Sequence, residues 1–441
     1  MKKALLISLC LFLLCGCTSK NNDLDKTVEE DNKNIIVLEN NSASFNSKEV
    51  PIYDYVWHIN TNNEDEYFTG TKPNEDDSVY IAHDIVYYPE VSEDSFTLEN
   101  YDGEQEWVTH YTSEELSDYI FATLPKLGNK LPSEMMHNEK EAYNNPVLHI
   151  TKAGEYELQG NFNGQILIDL GEEAFDDESQ KVTIILNNAN VTCSVAPAII
   201  FYSVYEADNT WEQKETYDNK VDISNAGARV IIKDGTENNF TGANVYRLLK
   251  PKYKKEGSTV QKKRYKTDGA FYSYQSLLIE GENNGTGILN ITSTTFEGLD
   301  SELHLQINSG NINIVTADDG INVNEDDVSV FIVNGGRLTI FAGQGAEGDV
   351  IDSNGFIVVN GGTILGTTPS VSDDMFDSET GVEISENATV ITGGSINSNN
   401  RNGFGPGMTP NERREDFDPR NFENMPTPPD GQQPPTKPNS N

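Results

Sequence analysis

The sequence has few positive charges. Its 31 Lys and Arg residues face 71 Asp and Glu residues, so the formal net charge is −40. A surface this negative repels the phosphate backbone of nucleic acids, which we therefore exclude as partners. The same surface either gathers divalent cations or serves only to keep an exported protein in solution.

Long hydrophobic runs are absent after the first residues. Lys2 and Lys3 precede an apolar run from Ala4 to Leu14, which is too short to span a bilayer and is typical of an export signal. The next residues, Leu14-Cys15-Gly16-Cys17, resemble the bacterial lipobox, whose last cysteine is lipidated after cleavage. They predict a lipoprotein signal peptide at 1–16 and an exported protein, anchored to the lipid bilayer through Cys17 and facing outside the cytoplasm. An ordinary signal peptide cut nearby is the alternative.

Cysteines are also few. Of the four, Cys10 and Cys15 belong to the predicted signal and Cys17 takes the lipid, which leaves Cys193 alone. No disulfide can form within such a mature monomer, so packing or metal ions must stabilise it. The apolar segment around Cys193 predicts a small buried core residue.

The most regular feature of the chain is a repeat. Four turn sequences begin 26 residues apart, at Ile307, Val333, Val359 and Ser385, and alternating apolar runs flank them. A fixed period of this length indicates stacked units, and the alternation indicates strands rather than helices. The sequence therefore predicts an all-β fold, a right-handed parallel β-helix (β-solenoid) of about eight coils.

Composition divides the chain into further parts. We predict a monomer with a flexible tether at 17–50, an irregular N-terminal capping region at 51–146, the parallel β-helix at 147–398, and a disordered Pro/Gly/Asn-rich tail at 399–441.

Several segments together resemble one protein family. They are Val147–Gly160, Val182–Thr192, Asp234–Asn238 and the Asp-Asp-Gly-Ile run at 318–321. The resemblance is to the bacterial carbohydrate-binding family of pectate-lyase-like β-helices. It implies a right-handed parallel β-helix that binds polysaccharide, either cellulose or an acidic, pectin-like glycan, with calcium in the stack.

Acidic residues recur in the frame acid-x-apolar-polar. Coils stacked in register would align them as two columns, Glu297/Asp319/Asp349/Asp374 and Asp300/Asn322/Asp352/Asp377. Carboxylates about 5 Å apart repel each other unless a cation or proton intervenes, and Ca²⁺ prefers such oxygen ligands. We predict calcium ligation by these eight residues. Solvated turn residues are the alternative, since Asp and Asn favour turns.

A basic, aromatic insertion interrupts the third coil. Its residues offer cations and flat rings to an acidic sugar chain, and we predict carbohydrate contacts from Tyr246, Lys252, Tyr253, Lys263, Arg264, Tyr265 and Asp268. A solvated hairpin that offsets an acidic body explains the same composition.

Three functions fit the sequence. We expect a surface lipoprotein that binds polysaccharide without catalysis. A calcium-dependent pectate-lyase-type enzyme needs a base beside the acidic site, and Arg337 is the only Lys or Arg between Lys266 and Arg401. A structural surface protein or adhesin is the third reading.

Overall fold

The computed structural model describes most of the chain between Asn34 and Thr392. The described residues are 34–60, 66–83, 89–90, 96–101, 106–111, 143–209, 219–243, 252–254, 261–263, 269–294, 296–343, 348–369 and 373–392. The predicted signal peptide with Cys17, and the predicted tail, lie outside them. None of the described helices is long and apolar enough to cross a membrane.

Nine strands precede the repeat. They are β1 Asn34–Asn40, β2 Ser42–Phe45, β3 Lys48–Glu49, β4 Tyr55–Asn60, β5 Glu66–Gly70, β6 Val79–Ala82, β7 Pro89–Glu90, β8 Phe96–Tyr101 and β9 Glu106–Tyr111.

The early coils have connections of unequal length. Their strands are β10 Val147–Ile150, β11 Gly154–Asn163, β12 Gln165–Asp169, β13 Val182–Thr192, β14 Ile199–Ser203, β15 Ala228–Ile232, β16 Glu237–Gly242, β17 Lys252–Lys254 and β18 Gln261–Lys263. Helix is scarce in the described part of the chain, where a 3₁₀ helix, Glu172–Asp176, lies between β12 and β13.

The later coils each supply three short strands. They are β19 Phe271–Ser273, β20 Leu277–Gly281, β21 Ile288–Ser293, β22 Leu299–Ser301, β23 His304–Ile307, β24 Asn311–Val315, β25 Ile321–Val323, β26 Val330–Val333, β27 Arg337–Phe341, β28 Ile351–Ser353, β29 Phe356–Val359, β30 Gly362–Thr367, β31 Asp377–Ser378, β32 Gly381–Ile384 and β33 Ala388–Thr392.

Parallel pairing between successive coils produces three ladders of strands. Ladder 1 contains β10, β12, β14, β19, β22, β25, β28 and β31, so eight coils follow one another from Val147 to Thr392. Ladder 2 contains β15, β20, β23, β26, β29 and β32, and ladder 3 contains β16, β21, β24, β27, β30 and β33. The long strands β11 and β13 span both. The chain is thus an all-β parallel solenoid, as the repeat predicts.

The core is built from stacks of equivalent apolar residues. On ladder 3, for example, Ile312, Leu338 and Ile364 pair in register, and all three are fully buried. Every second residue of each strand points inward, which explains the alternation in the sequence. Burial of these stacks against their neighbours holds the coils together.

The repeated turn between ladders 2 and 3 is an asparagine ladder. The Nδ2 of Asn334 donates to Oδ1 of Asn308 at 2.9 Å, and the Nδ2 of Asn360 donates to Oδ1 of Asn334 at 2.8 Å. Two residues later the chain needs a positive φ, which glycine supplies at Gly310, with φ 103°. The 26-residue repeat is therefore the spacing of this turn.

The folded part begins earlier than the sequence predicts. A tether over 17–50 is wrong for its last residues, because β1 pairs in parallel with β11 and β2 folds back antiparallel on β1. Ile36 and Leu38 alternate inward and are buried against the first coil. This hairpin covers the edge that the first coil would otherwise expose. Within the predicted capping region, β6 pairs antiparallel with β10.

The outer face of ladder 2 is partly covered by the protein itself. Residues 204–209 and 219–226 lie near it, and Leu278 is buried with Ile223 and Ala226. Nearby, the Nε2 of buried His304 lies 3.4 Å from Oδ2 of Asp208. The first coils of ladder 1 are covered in the same way, since Leu167, Ile200 and Tyr272 are buried with Cys193 and Val195. Ladder 3 and the later coils of ladder 1 are therefore the better candidates for ligand-binding faces.

Candidate functional site

One predicted acidic column forms on the outer face of ladder 1. Strand pairing places Asp300 opposite Asn322, Asn322 opposite Asp352, and Asp352 opposite Asp377. The residues before them, such as Leu299 and Ile321, are fully buried in the core. Alternation along each strand therefore turns the polar side chains away from the core; Asp352 and Asp377 are partly exposed, whereas Asp300 is fully buried.

The second predicted column lies in the segment just before each of these strands. The backbone N–H of Asp349 donates to Oδ1 of Asp319 at 2.6 Å, and the N–H of Asp374 donates to Oδ1 of Asp349 at 2.5 Å. The backbone N–H of Gly298 donates to the carbonyl of Asp319, which places Glu297 one coil away. The structure thus brings the two columns together along one side of the stack.

These carboxylates repel one another. Burial raises the pKa of Asp319 well above its ordinary value, and the charges of Asp352, Asp318 and Glu297 raise it further. Burial also raises the pKa of Asp349 to about 6, against the hydrogen bond from Asp374 that lowers it. The only Lys or Arg in this part of the sequence, Arg337, belongs to ladder 3. The columns therefore lack a basic partner from their own coils.

Among the described residues, the buried oxygens of the columns that accept no hydrogen bond include Oε2 of Glu297 and Oδ1 of Asn322, whose residues are only 6% and 7% exposed. An oxygen left unpaired in this way costs free energy unless a proton, water or cation meets it. Oxygen-only surroundings suit a hard cation such as Ca²⁺. Across the described residues, however, no three His, Cys, Asp or Glu side chains converge as a ready metal-binding group.

Tyrosines continue the acidic face, and the sequence prediction missed them. Tyr272 is the strand partner of Asp300, and its hydroxyl donates to Oε1 of Glu302. The partly exposed rings of Tyr202 and Tyr274 meet edge to face, with centroids 5.3 Å apart. Tyr272 itself is fully buried, so the partly exposed rings of Tyr202 and Tyr274 are the ones that offer stacking and hydrogen-bonding groups to a sugar. Extending the acidic frame back by one coil would have revealed Tyr272.

The sequence Asp268-Gly-Ala-Phe271 fits the first three positions of the acidic frame but not the last, and the structure shows that this alignment is one residue out of register. Asp268 itself lies outside the described residues, but the pairing of Tyr272 with Asp300 puts Gly269 level with Glu297. A Cβ on Gly269 would lie 2.5 Å from Cβ of Asp300. The close approach of the two coils therefore favours glycine, rather than an acid, at this position.

The basic insertion contains a short antiparallel hairpin. In it, Lys252 of β17 pairs with Lys263 of β18, and Tyr253 pairs with Lys262. Tyr246, Arg264 and Tyr265 lie outside the described residues. The hairpin is therefore present, while the predicted carbohydrate contacts remain a prediction.

Comparison with known proteins identifies the family. Residues 144–416 match the model of a family described as carbohydrate-binding domain-containing protein. The chain belongs to this carbohydrate-binding family. No curated protein matches the sequence. A solved structure titled as the polysaccharide lyase-like protein from C. thermocellum, a gadolinium derivative, is similar at 19% identity and a TM-score of 0.38, covering 69% of this chain and 98% of that one.

Proposed function

We propose that this protein is an exported lipoprotein that holds polysaccharide at the cell surface without cleaving it. Its membership of a carbohydrate-binding family is the observation that carries this proposal. The ladder 1 face adds chemistry suited to sugars, because carboxylates, amides and tyrosine rings lie along one side of the stack. The resemblance to pectate-lyase-like proteins favours cellulose or an acidic, pectin-like glycan as the ligand. A right-handed winding is part of the proposal, since parallel crossover connections are right-handed in nearly all proteins.

We propose that calcium assists binding at the two acidic columns. Asp319, Asn322, Asp349 and Asp352 would supply oxygen ligands, and a uronate carboxylate of the glycan would supply others. The support is the unsatisfied oxygens of Glu297 and Asn322, together with the mutual repulsion of the carboxylates that raises the pKa of Asp319. Because the described side chains form no ready three-ligand group, the glycan or a change of side-chain rotamer would have to complete the site.

A pectate-lyase activity is the competing proposal. Elimination requires a base near the proton α to the uronate carboxylate and a cation that stabilises the enolate. The acidic columns offer carboxylates with raised pKa but no Lys or Arg from their own coils. This composition favours retention of the polymer over its cleavage.

One assay separates these proposals. The purified protein is incubated with polygalacturonate or cellulose, with calcium or with a chelator. We expect depletion of the protein onto at least one polymer and no rise in the absorbance of unsaturated products. Product formation above background would replace the binding proposal by the lyase. The double variant Asp352→Asn with Asp377→Asn should lose calcium-dependent retention by polygalacturonate and keep its melting temperature within a few degrees.

The basic hairpin is a separable part of this proposal. Replacing Lys252 and Lys263 by Ala removes two cations that are paired across β17 and β18. We expect weaker retention by polygalacturonate and an unchanged melting temperature. Full retention would identify the hairpin as a solvated insertion without a role in binding.

The lipid anchor is tested independently. Replacing Cys17 by Ser should move the protein from the membrane fraction to the soluble exported fraction. Continued membrane association of this variant would contradict the anchor.

A further inference from the structure

A row of asparagines crosses the outer face of ladder 3. Successive coils place these residues opposite one another, in unbroken register after β13, and the row is Asn161, Asn190, Asn239, Asn290 and Asn313. Their strand neighbours Phe162, Phe240 and Ile314 are buried in the core. Alternation therefore turns the row outward; Asn161 is exposed, Asn190, Asn239 and Asn313 are partly exposed, and Asn290 is buried. At the usual spacing between strands it extends over about 19 Å.

The amides of this row form one continuous hydrogen-bonded chain. From Asn190 to Asn313, the Nδ2 of each asparagine donates to Oδ1 of the preceding one, at 3.0, 2.6, 2.8 and 2.9 Å. A primary amide has two N–H donors and an oxygen with two lone pairs. The chain uses one donor and one acceptor of each inner amide and fixes its orientation. Asn290 also donates to Oε1 of Glu237, at 3.1 Å.

The side-chain amides of this row make no hydrogen bonds to backbone groups of the described residues. Buried Asn238 shows the contrasting case, since its Oδ1 accepts from the backbone N–H of Ala189 and its Nδ2 donates to the carbonyl of Ile288. Within the described residues, the side-chain amides of the outer row form hydrogen bonds only with each other and with the carboxylate of Glu237. The remaining donors and acceptors of Asn190 and Asn239 are therefore available at the surface.

A second row lies beside the first. Thr192, Thr241 and Thr292 stand opposite one another, two residues after the asparagines of their strands. Hydroxyl groups both donate and accept hydrogen bonds. Strands β13, β16, β21 and β24, which carry the asparagines from Asn190 onward, contain one charged residue, Glu237. This neutral strip, defined as the five asparagines and three threonines, contrasts with a net charge of −40.

We infer that the neutral strip binds an extended, uncharged polysaccharide laid across the strands, a site separate from the acidic face of ladder 1. The inference rests on the proposed carbohydrate-binding function and names a second ligand class within it. Sugar hydroxyls both donate and accept, which matches an amide that offers one of each. The rungs are spaced about 4.8 Å apart, close to the length of one pyranose. The hydrogen-bonded amides are already ordered, so binding costs little side-chain entropy.

The charge on each face determines which glycan it takes. Neutral amides leave the charges of a uronate polymer uncompensated on a protein whose own net charge is −40, whereas the acidic columns bind it only through a cation. A neutral polymer such as cellulose needs no cation and meets uncharged donors and acceptors on ladder 3. Binding to the strip is therefore independent of calcium.

The test uses the full protein and two polymers, amorphous cellulose and polygalacturonate with calcium. The triple variant Thr192→Val, Thr241→Val and Thr292→Val removes three hydroxyls, keeps the β-branched shape and preserves strand propensity. Thr241→Lys instead covers the strip with a long side chain. Thr183→Val is the matched control, because Thr183 lies on ladder 2, opposite Arg229. Melting temperatures report folding.

We expect the affinity of each strip variant for cellulose to fall at least about tenfold. Its affinity for polygalacturonate and its melting temperature should equal those of the unmodified protein. The control variant should bind both polymers as the unmodified protein does. If the parent binds cellulose and both strip variants bind it within twofold, the strip is not the site and the proposed function stands. Equal loss of both polymers also overturns the separate site. If the unmodified protein binds neither cellulose nor polygalacturonate, the proposed function itself is wrong.

Discussion

The backbone N–H of Asp349 donates to Oδ1 of Asp319 at 2.6 Å and ties one acidic coil to the next. Such a bond stabilises the charged form of an acid, yet the pKa of Asp319 stays well above its ordinary value because burial and three nearby carboxylates outweigh it. Folding therefore holds these acids together at a cost in free energy that a proton or a cation can relieve. The first prediction tests the effect of protonation on stability, and the second tests the effect of calcium.

The pKa of Asp349 predicts a pH dependence of stability. Its value is raised from 3.8 to about 6 in the folded protein, so the folded state binds the proton more tightly than the unfolded chain. The contribution of this group to the free energy of unfolding therefore falls as pH rises from about 4 to about 6. Asp349→Asn keeps an oxygen to accept the bond from Asp374 and removes the charge.

The measurement is denaturant unfolding of the parent and the Asp349→Asn variant at pH 4 and pH 7.5, with a chelator. We expect the variant to gain stability relative to the parent at pH 7.5 but not at pH 4. A difference in unfolding free energy that stays constant with pH would contradict the raised pKa.

Asn322 provides the test for calcium. It lies between Asp300 and Asp352, so Asn322→Asp completes an unbroken column of carboxylates. Without divalent cations we expect a loss of about 1 kcal/mol in the free energy of unfolding, because like charges directly opposite one another repel. Calcium should restore this loss and raise the melting temperature more than it does for the parent. Magnesium, which requires a tighter octahedral shell, should restore less. An equal response of parent and variant to calcium would count against the columns as ligands.

The sequence predicts the stack where its connections are regular. Equal spacing of turns from Ile307 onward makes the coils visible, and the acid-x-apolar-polar frame finds the pairing of Asp352 with Asp377. The asparagine row gives no such signal, because bonded neighbours such as Asn161 and Asn190, or Asn239 and Asn290, are 29 and 51 residues apart. Loops of unequal length remove the period although the strands remain in register.

The N-terminal error has a different physical cause. A polar composition before residue 50 predicts a tether, but the inward-facing Ile36 and Leu38 anchor a strand on an existing edge. Pairing with β11 supplies the backbone hydrogen bonds that a short isolated strand lacks. Composition alone cannot show that a partner edge is available.

Gly320 shows how closely the coils approach beside the acidic columns. A Cβ at this position would lie 2.2 Å from Cγ2 of Ile340 and 2.5 Å from the carbonyl oxygen of Val350. We expect Gly320→Ala to lower the free energy of unfolding by about 2 kcal/mol, because the added methyl group forces two coils apart. Gly235→Ala is the control for backbone strain, since Gly235 has φ 71° and no atom near its Cβ position, and its cost should be nearer 1 kcal/mol. A Gly320 variant as stable as the parent in denaturant unfolding would show that the coils can separate freely.

The ion pair between Lys233 and Glu157 joins coils that are not adjacent in sequence. The Nζ of Lys233 donates to both carboxylate oxygens of Glu157, at 3.0 and 3.1 Å, and the carboxylate is only 8% exposed. Removing the lysine leaves a largely buried charge that keeps the hydrogen bond from Nδ2 of Asn187, at 2.6 Å, but loses its cation. We therefore expect Lys233→Ala to cost about 2 kcal/mol in urea unfolding. Lys72→Ala, beside the exposed Glu75, is the matched control and should stay within about 0.5 kcal/mol of the parent. Equal effects of the two substitutions would mean that burial of Glu157 contributes nothing to the strength of its pair.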